Sequence, residues 1–411
     1  MTYIQQGTQA FRKTNFAFFA AGFNTFSILY CMQPLMPEFT RDFGVSPTSA
    51  SLSLSVSTIA LAVSMLFFGS LSEAWGRKPI MVISMFIASV LCLLTAFSPN
   101  FHILLILRTM VGISLAGLPS IAMAYLGEEV DPKSLGKAMG LFISGNALGA
   151  VFGRIFTGIL TDYYDWHFAL VGVGAISLIA TLIFGVSLSP SRNFKPCKLE
   201  IRGLGMSLIK HLKDPGLVCL FLMGFFLLGS NVALFNYIGY LLMDEPYSFS
   251  QSFISWFFLI YLIGMFSSSF IGRLIDKHGR SKVLFINLLI SILGVLLTLF
   301  PSLLIKILGL GLFIFGFFGG HSIASSWVGQ RALNNKAQAS SLYLFLYYAG
   351  SSIGGSLGGI FWTSFGWAGL IFMVVVFLLL TLILTVCLIK LSKLTSIAKP
   401  FISLKRLGTK Y

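Results

Sequence analysis

Arg108, Arg154 and His321 each stand inside a long apolar run of this 411-residue chain. A guanidinium is permanently charged and presents a planar fork of N–H donors suited to a carboxylate or phosphate. An imidazole titrates near neutrality and can pass protons through a wet cavity. Ionisable groups buried at such depth are costly, so each is a functional candidate. The acids lie elsewhere. Glu38, Asp42, Asp162, Asp165, Asp244 and Glu245 fall at one set of segment ends, and Glu73, Glu128, Glu129, Asp131, Glu200, Asp214 and Asp276 at the other. With no carboxylate at mid-depth and two arginines within the runs, the chemistry favours a neutral, zwitterionic or anionic ligand. No nucleophile elbow, phosphate loop or metal-ligand spacing occurs, so neither catalysis nor a cofactor is expected. The five cysteines lie mostly in apolar runs and read as small hydrophobes.

The elements that hold these residues are membrane helices. Hydrophobic residues make up 56% of the chain and charged ones 10%, against about 25% charged in a soluble protein. At roughly 20 residues per crossing the length accommodates about twelve helices. The first apolar run continues to Met36, too long for a signal-peptide core, and reads as a retained first helix, with Pro34 a candidate break where backbone carbonyls become available. Later runs lie near 49–70, 79–98, 101–125, 134–160 and 167–188, then 216–242, 252–273, 281–300, 302–327, 338–363 and 366–390. On these bounds Arg108 sits roughly 10 Å and Arg154 roughly 9 Å from the same membrane face. The net charge of +15 is topological and does not point to nucleic acid: apart from Arg41, Arg108, Arg154 and Lys306, the other 24 of 28 Lys and Arg fall in even loops and the two tails. The positive-inside rule then puts both termini in the cytoplasm. A basic linker, 189–214, divides an N-terminal unit, 1–188, from a C-terminal one, 215–390, and a basic tail follows from 391 to 411. Leu204–Leu212 within the linker can form an amphipathic helix on anionic lipid headgroups.

The two units are copies. Gly69, Leu71, Glu73, Gly76 and Arg77 recur 203 positions later as Gly272, Leu274, Asp276, Gly279 and Arg280. Gly145, Gly149 and Gly153 recur 205 positions later as Gly350, Gly354 and Gly358, a small-residue face that lets a neighbouring backbone approach closely. Arg154 breaks the match, since its counterpart is Gly359. Close packing therefore did not demand its charge. Arg154 can touch a ligand or coupling ion, or pair with Glu38 or Asp162. Arg108 suits an anchor bonding carbonyls of the first helix.

The turn Gly69-Ser70-Leu71-Ser72-Glu73-Ala74-Trp75-Gly76-Arg77-Lys78 resembles the loop 2–3 signature of the major facilitator superfamily, with Ala74 where that motif usually has Arg. Arg108-Thr109-Met110-Val111-Gly112 and the glycine-rich run through Gly153-Arg154 are similar to motifs of its drug/proton antiporter branch, although the usual helix 5 proline is missing. The resemblance covers about 14–390 and implies an all-α membrane fold of twelve helices in two pseudo-symmetric six-helix bundles. It also implies alternating access, an inner-membrane location, proton coupling, efflux of a small organic molecule and a monomeric state. Gly69, Glu73, Gly76, Arg77 and Lys78, with Asp276, Gly279 and Arg280, would then form a gate. In that fold helices 1, 4, 7 and 10 face the path, which makes Tyr30, Gln33, Asn236, Tyr237 and His321 candidate lining residues, with Tyr343 and Tyr347 added by helix 11. Import or export of an anionic metabolite, such as a carboxylate-bearing chelator, and a transporter-like receptor remain as alternatives.

Overall fold

The computed structural model describes residues 3–194, 208–332 and 335–407, with side chains up to 391 except at 337. The linker cations Lys195, Lys198 and Arg202, part of the amphipathic stretch 204–212 and the side chains of the basic tail lie outside the described residues. The first bundle comprises α1 (Gln9–Tyr30), α2 (Met36–Phe43), α3 (Pro47–Trp75), α4 (Arg77–Thr95), α5 (Phe101–Leu115), α6 (Pro119–Glu129), α7 (Leu135–Tyr163) and α8 (Trp166–Ser187). The second comprises α9 (Pro215–Met243), then α10 (Gln251–Trp256), which runs through a 3-10 turn (Phe257–Tyr261) into α11 (Leu262–His278). It is completed by α12 (Arg280–Leu297), α13 (Leu303–Arg331) and α14 (Lys336–Leu407).

Among the described residues ten helical stretches are long and apolar enough to cross a membrane. The last of them, 54 residues long, reverses at Gly366, whose φ of 61° lies in the left-handed region, and so crosses twice. Adding α1 with its continuation α2 makes twelve crossings. The first crossing is interrupted where Pro34 offered a break: it stops at Tyr30 and resumes at Met36, because Pro34 supplies no N–H and cannot continue the ladder. Two other runs read as continuous are not. The fourth breaks between Leu115 and Pro119. The eighth tightens into a 3-10 turn at Phe257–Tyr261. Side-chain caps fix many of the starts, including Ser46 on the N–H of Ser49, Asn100 on Ile103, Asp165 on Phe168 and Ser250 on Phe253.

Within the first bundle α1 packs on α7 and α8, α4 on α5 and α8, and α3 on α5; within the second, α9 packs on α14 and α13, and α12 on α13. The bundles touch mainly through α3 against α14 and α7 against α10. The repeated glycines explain the tightest contacts. A Cβ on Gly145, Gly149 or Gly153 would collide with the carbonyls of Phe19, Phe23 or Ser27 on α1, and one on Gly350 with that of Phe225 on α9. Ser27 Oγ donates to the Gly149 carbonyl at 3.0 Å across the same seam. Large apolar side chains such as Phe67, Phe97, Ile106, Leu182, Leu304 and Phe372 face outward, as a lipid-embedded surface requires.

Substituting Gly149→Leu forces α1 and α7 apart at a backbone-to-backbone contact. The expected cost is about 1–3 kcal/mol, read as a lower unfolding temperature of the purified protein, whereas Gly69→Leu, which meets nothing within 4 Å, should leave that temperature unchanged.

Candidate functional site

The break after α1 assembles the centre of the molecule. Past Tyr30 the chain tightens: the N–H of Gln33 bonds the carbonyl of Tyr30 and not that of Leu29. Arg108 of α5 takes the space this leaves. Its Nη1 and Nη2 donate to the carbonyls of Ile28 and Leu29, each at 3.2 Å, and its Nε to Ser53 of α3 at 3.3 Å. Ser57 Oγ bonds the Arg108 carbonyl at 2.8 Å, and Gly112 sits against the Ser57 backbone. All three guanidinium nitrogens are occupied and the side chain is fully buried. Arg108 therefore bridges the broken first helix to α3 through backbone carbonyls.

Arg154 is placed differently. Its Nη1 donates to the carbonyl of Ala150, one turn back on α7, at 2.7 Å, and its Nε to Oε1 of Gln33 in the α1 break at 2.6 Å. Aromatic rings form the rest of its surroundings. The guanidinium carbon lies 4.1 Å from the ring centroid of Tyr30, 4.6 Å from that of Tyr261 and 5.3 Å from that of Phe258. It is 1% exposed, and among the described residues no carboxylate pairs with it. Of the two acids the sequence offered, Glu38 bonds Arg41, and Asp162 accepts from the N–H of Ser252 at 3.2 Å. Cation–π contacts stabilise the charge but leave it uncancelled.

The same site joins the bundles. Gln33 donates to Oδ1 of Asn236 on α9 at 2.8 Å, and Asn236 Nδ2 has no partner. Tyr240 meets Thr40 at 2.8 Å, Gln251 bonds the carbonyl of Pro34, and Ser55 bonds the carbonyl of Ser352 at 3.1 Å. Tyr237 bonds the Gly355 carbonyl at 2.8 Å and stacks with Tyr240 and Trp362. The hydrogen bonds between bundles thus cluster at the end opposite the chain start. His321 lies on α13, with Nδ1 2.9 Å from the Tyr343 hydroxyl and its ring 4.4 Å from that of Tyr347. With Tyr343 and Tyr347 it forms an aromatic group within the second bundle.

At the end where the chain begins, the repeated turns hold their own bundles together. Gly76 and Gly279 have φ of 99° and 80°, which explains the invariant spacing of each turn around a glycine. Arg77 does not extend into solvent. It is 7% exposed, grips Glu128 of α6 through Nη2 at 2.7 Å and Nε at 3.3 Å, and donates to Ser72 at 2.6 Å. Glu73 stays half-exposed, 3.9 Å from Arg77, and Lys78 bonds the carbonyl of Leu188. In the second copy Arg280 meets Gln330, at the position matching Glu128, and Asp276 is exposed. Asp214 and Arg331 add an ion pair of 2.8 Å between α9 and α13. Burial opposes ionisation of Asp214, but bonds from Arg331 and the Gly216 N–H outweigh it and lower its pKa. That stabilisation is present above about pH 3.9 and is lost as pH falls through the lowered value. The partners Glu128, Tyr261 and Phe258 were not found from sequence, because each approaches from another helix at no fixed spacing.

A doubled bundle, a repeated charged turn and a buried site at the junction are the layout of a carrier. The family model described as Major Facilitator Superfamily matches residues 15–244 and again 220–407. The chain belongs to this superfamily. It is 64% identical over 382 residues to the uncharacterized MFS-type transporter YybF of Bacillus subtilis (strain 168), covering 93% of this chain and 95% of that one. It is 47% identical over 367 residues to the inner membrane transport protein YnfM of Escherichia coli (strain K12), covering 89% and 88%. In fold it is similar to a bacterial homolog of the human lysosomal transporter Spinster, with a TM-score of 0.73 at 16% identity over 94% of this chain and 98% of that one. As a superfamily member it is a multi-pass membrane transporter and not an enzyme.

Replacing Glu128 with Ala strips the carboxylate from a buried Arg77. The expected destabilisation is about 2 kcal/mol, measured as a fall in unfolding temperature, while Glu73→Ala, which removes a longer and half-exposed contact, should shift that temperature by much less.

Proposed function

We propose that the protein exports a small organic solute carrying negative charge or a strong acceptor group, by proton-coupled alternating access. Arg154 carries this reading: a guanidinium buried at the junction of the two bundles, caged by rings from both, with no carboxylate partner among the described residues. A solute acid can supply the missing anion, and because Tyr30 and Gln33 belong to one bundle and Tyr261 and Phe258 to the other, its arrival acts on both. The end holding the turns at Gly76 and Gly279 faces the cytoplasm by the positive-inside rule. In this state the bundles are bonded at the opposite end, so the solute route opens inward. Export is supported by the likeness of Arg108–Gly112 and Gly145–Arg154 to motifs of the drug/proton antiporter branch. The proton carrier we assign is His321, hydrogen-bonded to Tyr343 beside Tyr347. Glu73, exposed and only 3.9 Å from Arg77, and exposed Asp276 take partners across the cytoplasmic side in the other state, Gly76, Arg77 and Lys78 hold that turn in place, and Gly69, with open space beside it, leaves room for the approaching helix. A single chain contains the whole site, in keeping with a monomer.

In proteoliposomes with an imposed proton gradient, wild-type protein should move organic anions and Arg154→Ala should lose at least about tenfold of that flux, the equivalent of one charge-assisted hydrogen bond. Proton-driven movement of lipophilic cations that is indifferent to Arg154→Ala would refute the assignment. His321→Gln should abolish dependence on the gradient while leaving anion exchange intact.

A further inference from the structure

A second group of cations lies at the cytoplasmic end of the groove between α1 and α7. There a cavity of about 470 Å³ is lined by Gln6, Arg12, Asn15, Phe16, Phe19 and Lys137, among others. Its volume suits a small organic ligand. Arg12 and Lys137 are exposed, and Phe16 is 56% exposed, so a cationic rim stands over an apolar floor. Asn15 is 7% exposed, yet its Oδ1 has no partner. A buried amide without its bond is costly unless something else supplies one, and an amide can turn either end toward a ligand.

The repeat shows that the fold does not require these groups. Gly145 meets the carbonyl of Phe19 just as Gly350 meets that of Phe225, which fixes the register between the two copies. In that register Arg12, Asn15, Lys137 and Arg154 correspond to Val218, Phe221, Leu342 and Gly359. Every polar member of the first groove is apolar in the second. The groove also leads somewhere. Arg12, Phe16, Phe19, Phe23, Phe26 and Tyr30 recur at alternating steps of four and three, one stripe along α1. Phe23 packs on Phe152 at 4.9 Å, Phe26 stacks on Tyr30 at 6.1 Å, and Tyr30 lies against Arg154. From Arg12 to Tyr30 the stripe spans about 27 Å.

We propose that this cavity binds an amphiphilic anion, its acid group held by Arg12 and Lys137 and its apolar body laid on Phe16 and Phe19, as a capture station at the start of an aromatic track to Arg154. Only the role as capture station rests on the proposed function. The binding itself does not. Two sources share this chemistry, a dissolved aromatic acid and the headgroup of an anionic lipid.

The test is photolabelling of the full-length protein in phosphatidylcholine vesicles with 4-benzoylbenzoate, followed by mass-spectrometric mapping. Label is expected on the facing segments of α1 and α7. It should fall at least about tenfold in the Arg12→Gln/Lys137→Gln double variant, for the loss of two charge-assisted contacts, and persist in Arg154→Gln. Both substituted side chains are exposed, so folding is retained. Competition by free benzoate would assign the site to a dissolved acid; competition only by added phosphatidylglycerol would assign it to a lipid headgroup. Either result upholds an amphiphilic-anion site. Equal labelling by the neutral 4-benzoylbenzamide, or undiminished labelling of the double variant, overturns it. Label kept in Arg154→Gln while anion flux proves independent of Arg154 would refute the proposed function and leave this site standing.

Discussion

A permanent charge in a low-dielectric interior must be met by dipoles, by a counter-charge or by polarisable rings. Most of this structure follows from how two buried arginines meet that demand. Arg108 is satisfied by backbone: the break after Tyr30 frees the carbonyls of Ile28 and Leu29, two of its nitrogens take them, and its Nε takes the carbonyl of Ser53 on α3. Arg154 is satisfied only in part, by one carbonyl, one amide oxygen and a set of rings. The first solution is closed and holds helices together. The second leaves a buried positive charge with no carboxylate partner among the described residues.

The break that serves Arg108 also delivers Gln33 to Arg154, and Gln33 in turn reaches Asn236 on the other bundle. One proline-induced interruption therefore ties the structural clamp, the buried charge and the contact between bundles into one unit. Arg154 sits where any ligand that repositions Gln33 alters a bond between the bundles. The repeated turns at Gly76 and Gly279 supply the complementary stiffness. Their arginines are committed within their own bundles, to Glu128 and Gln330, so each bundle can move as a body.

Much of this was legible in the chain. Apolar run length and the doubled turn were enough for the helix count and the repeat, because lipid forces every backbone group into helices. The glycine spacing at 145, 149 and 153 correctly marked a backbone-to-backbone seam, and the contrast of Arg154 with Gly359 marked the asymmetric charge. Pro34 signalled the break but not its reach, since the displaced hydrogen bonds begin several residues earlier, at Tyr30. The cage around Arg154 was hidden for a different reason. Tyr261 and Phe258 come from the opposite bundle on a 3-10 turn, and contacts between bundles leave no periodicity in either sequence. The pairing of Arg77 with Glu128 was missed likewise, across 51 positions and two turns.

The claim that Arg154 awaits an external anion is tested most directly by ligand-dependent thermal stability of the purified protein. Pairs of aromatic acids and their isosteric amides would be compared on wild type and Arg154→Gln. A ligand at a hundred times its dissociation constant adds about 2.7 kcal/mol of stability, a readily measured rise in unfolding temperature. The account predicts that acids stabilise wild type more than their amides do, and that in the Arg12→Gln/Lys137→Gln background, which removes the second anion site, the preference remains with Arg154 and disappears on adding Arg154→Gln. A preference for acids that survives Arg154→Gln unchanged in that background, or a preference for amides in wild type, would contradict it.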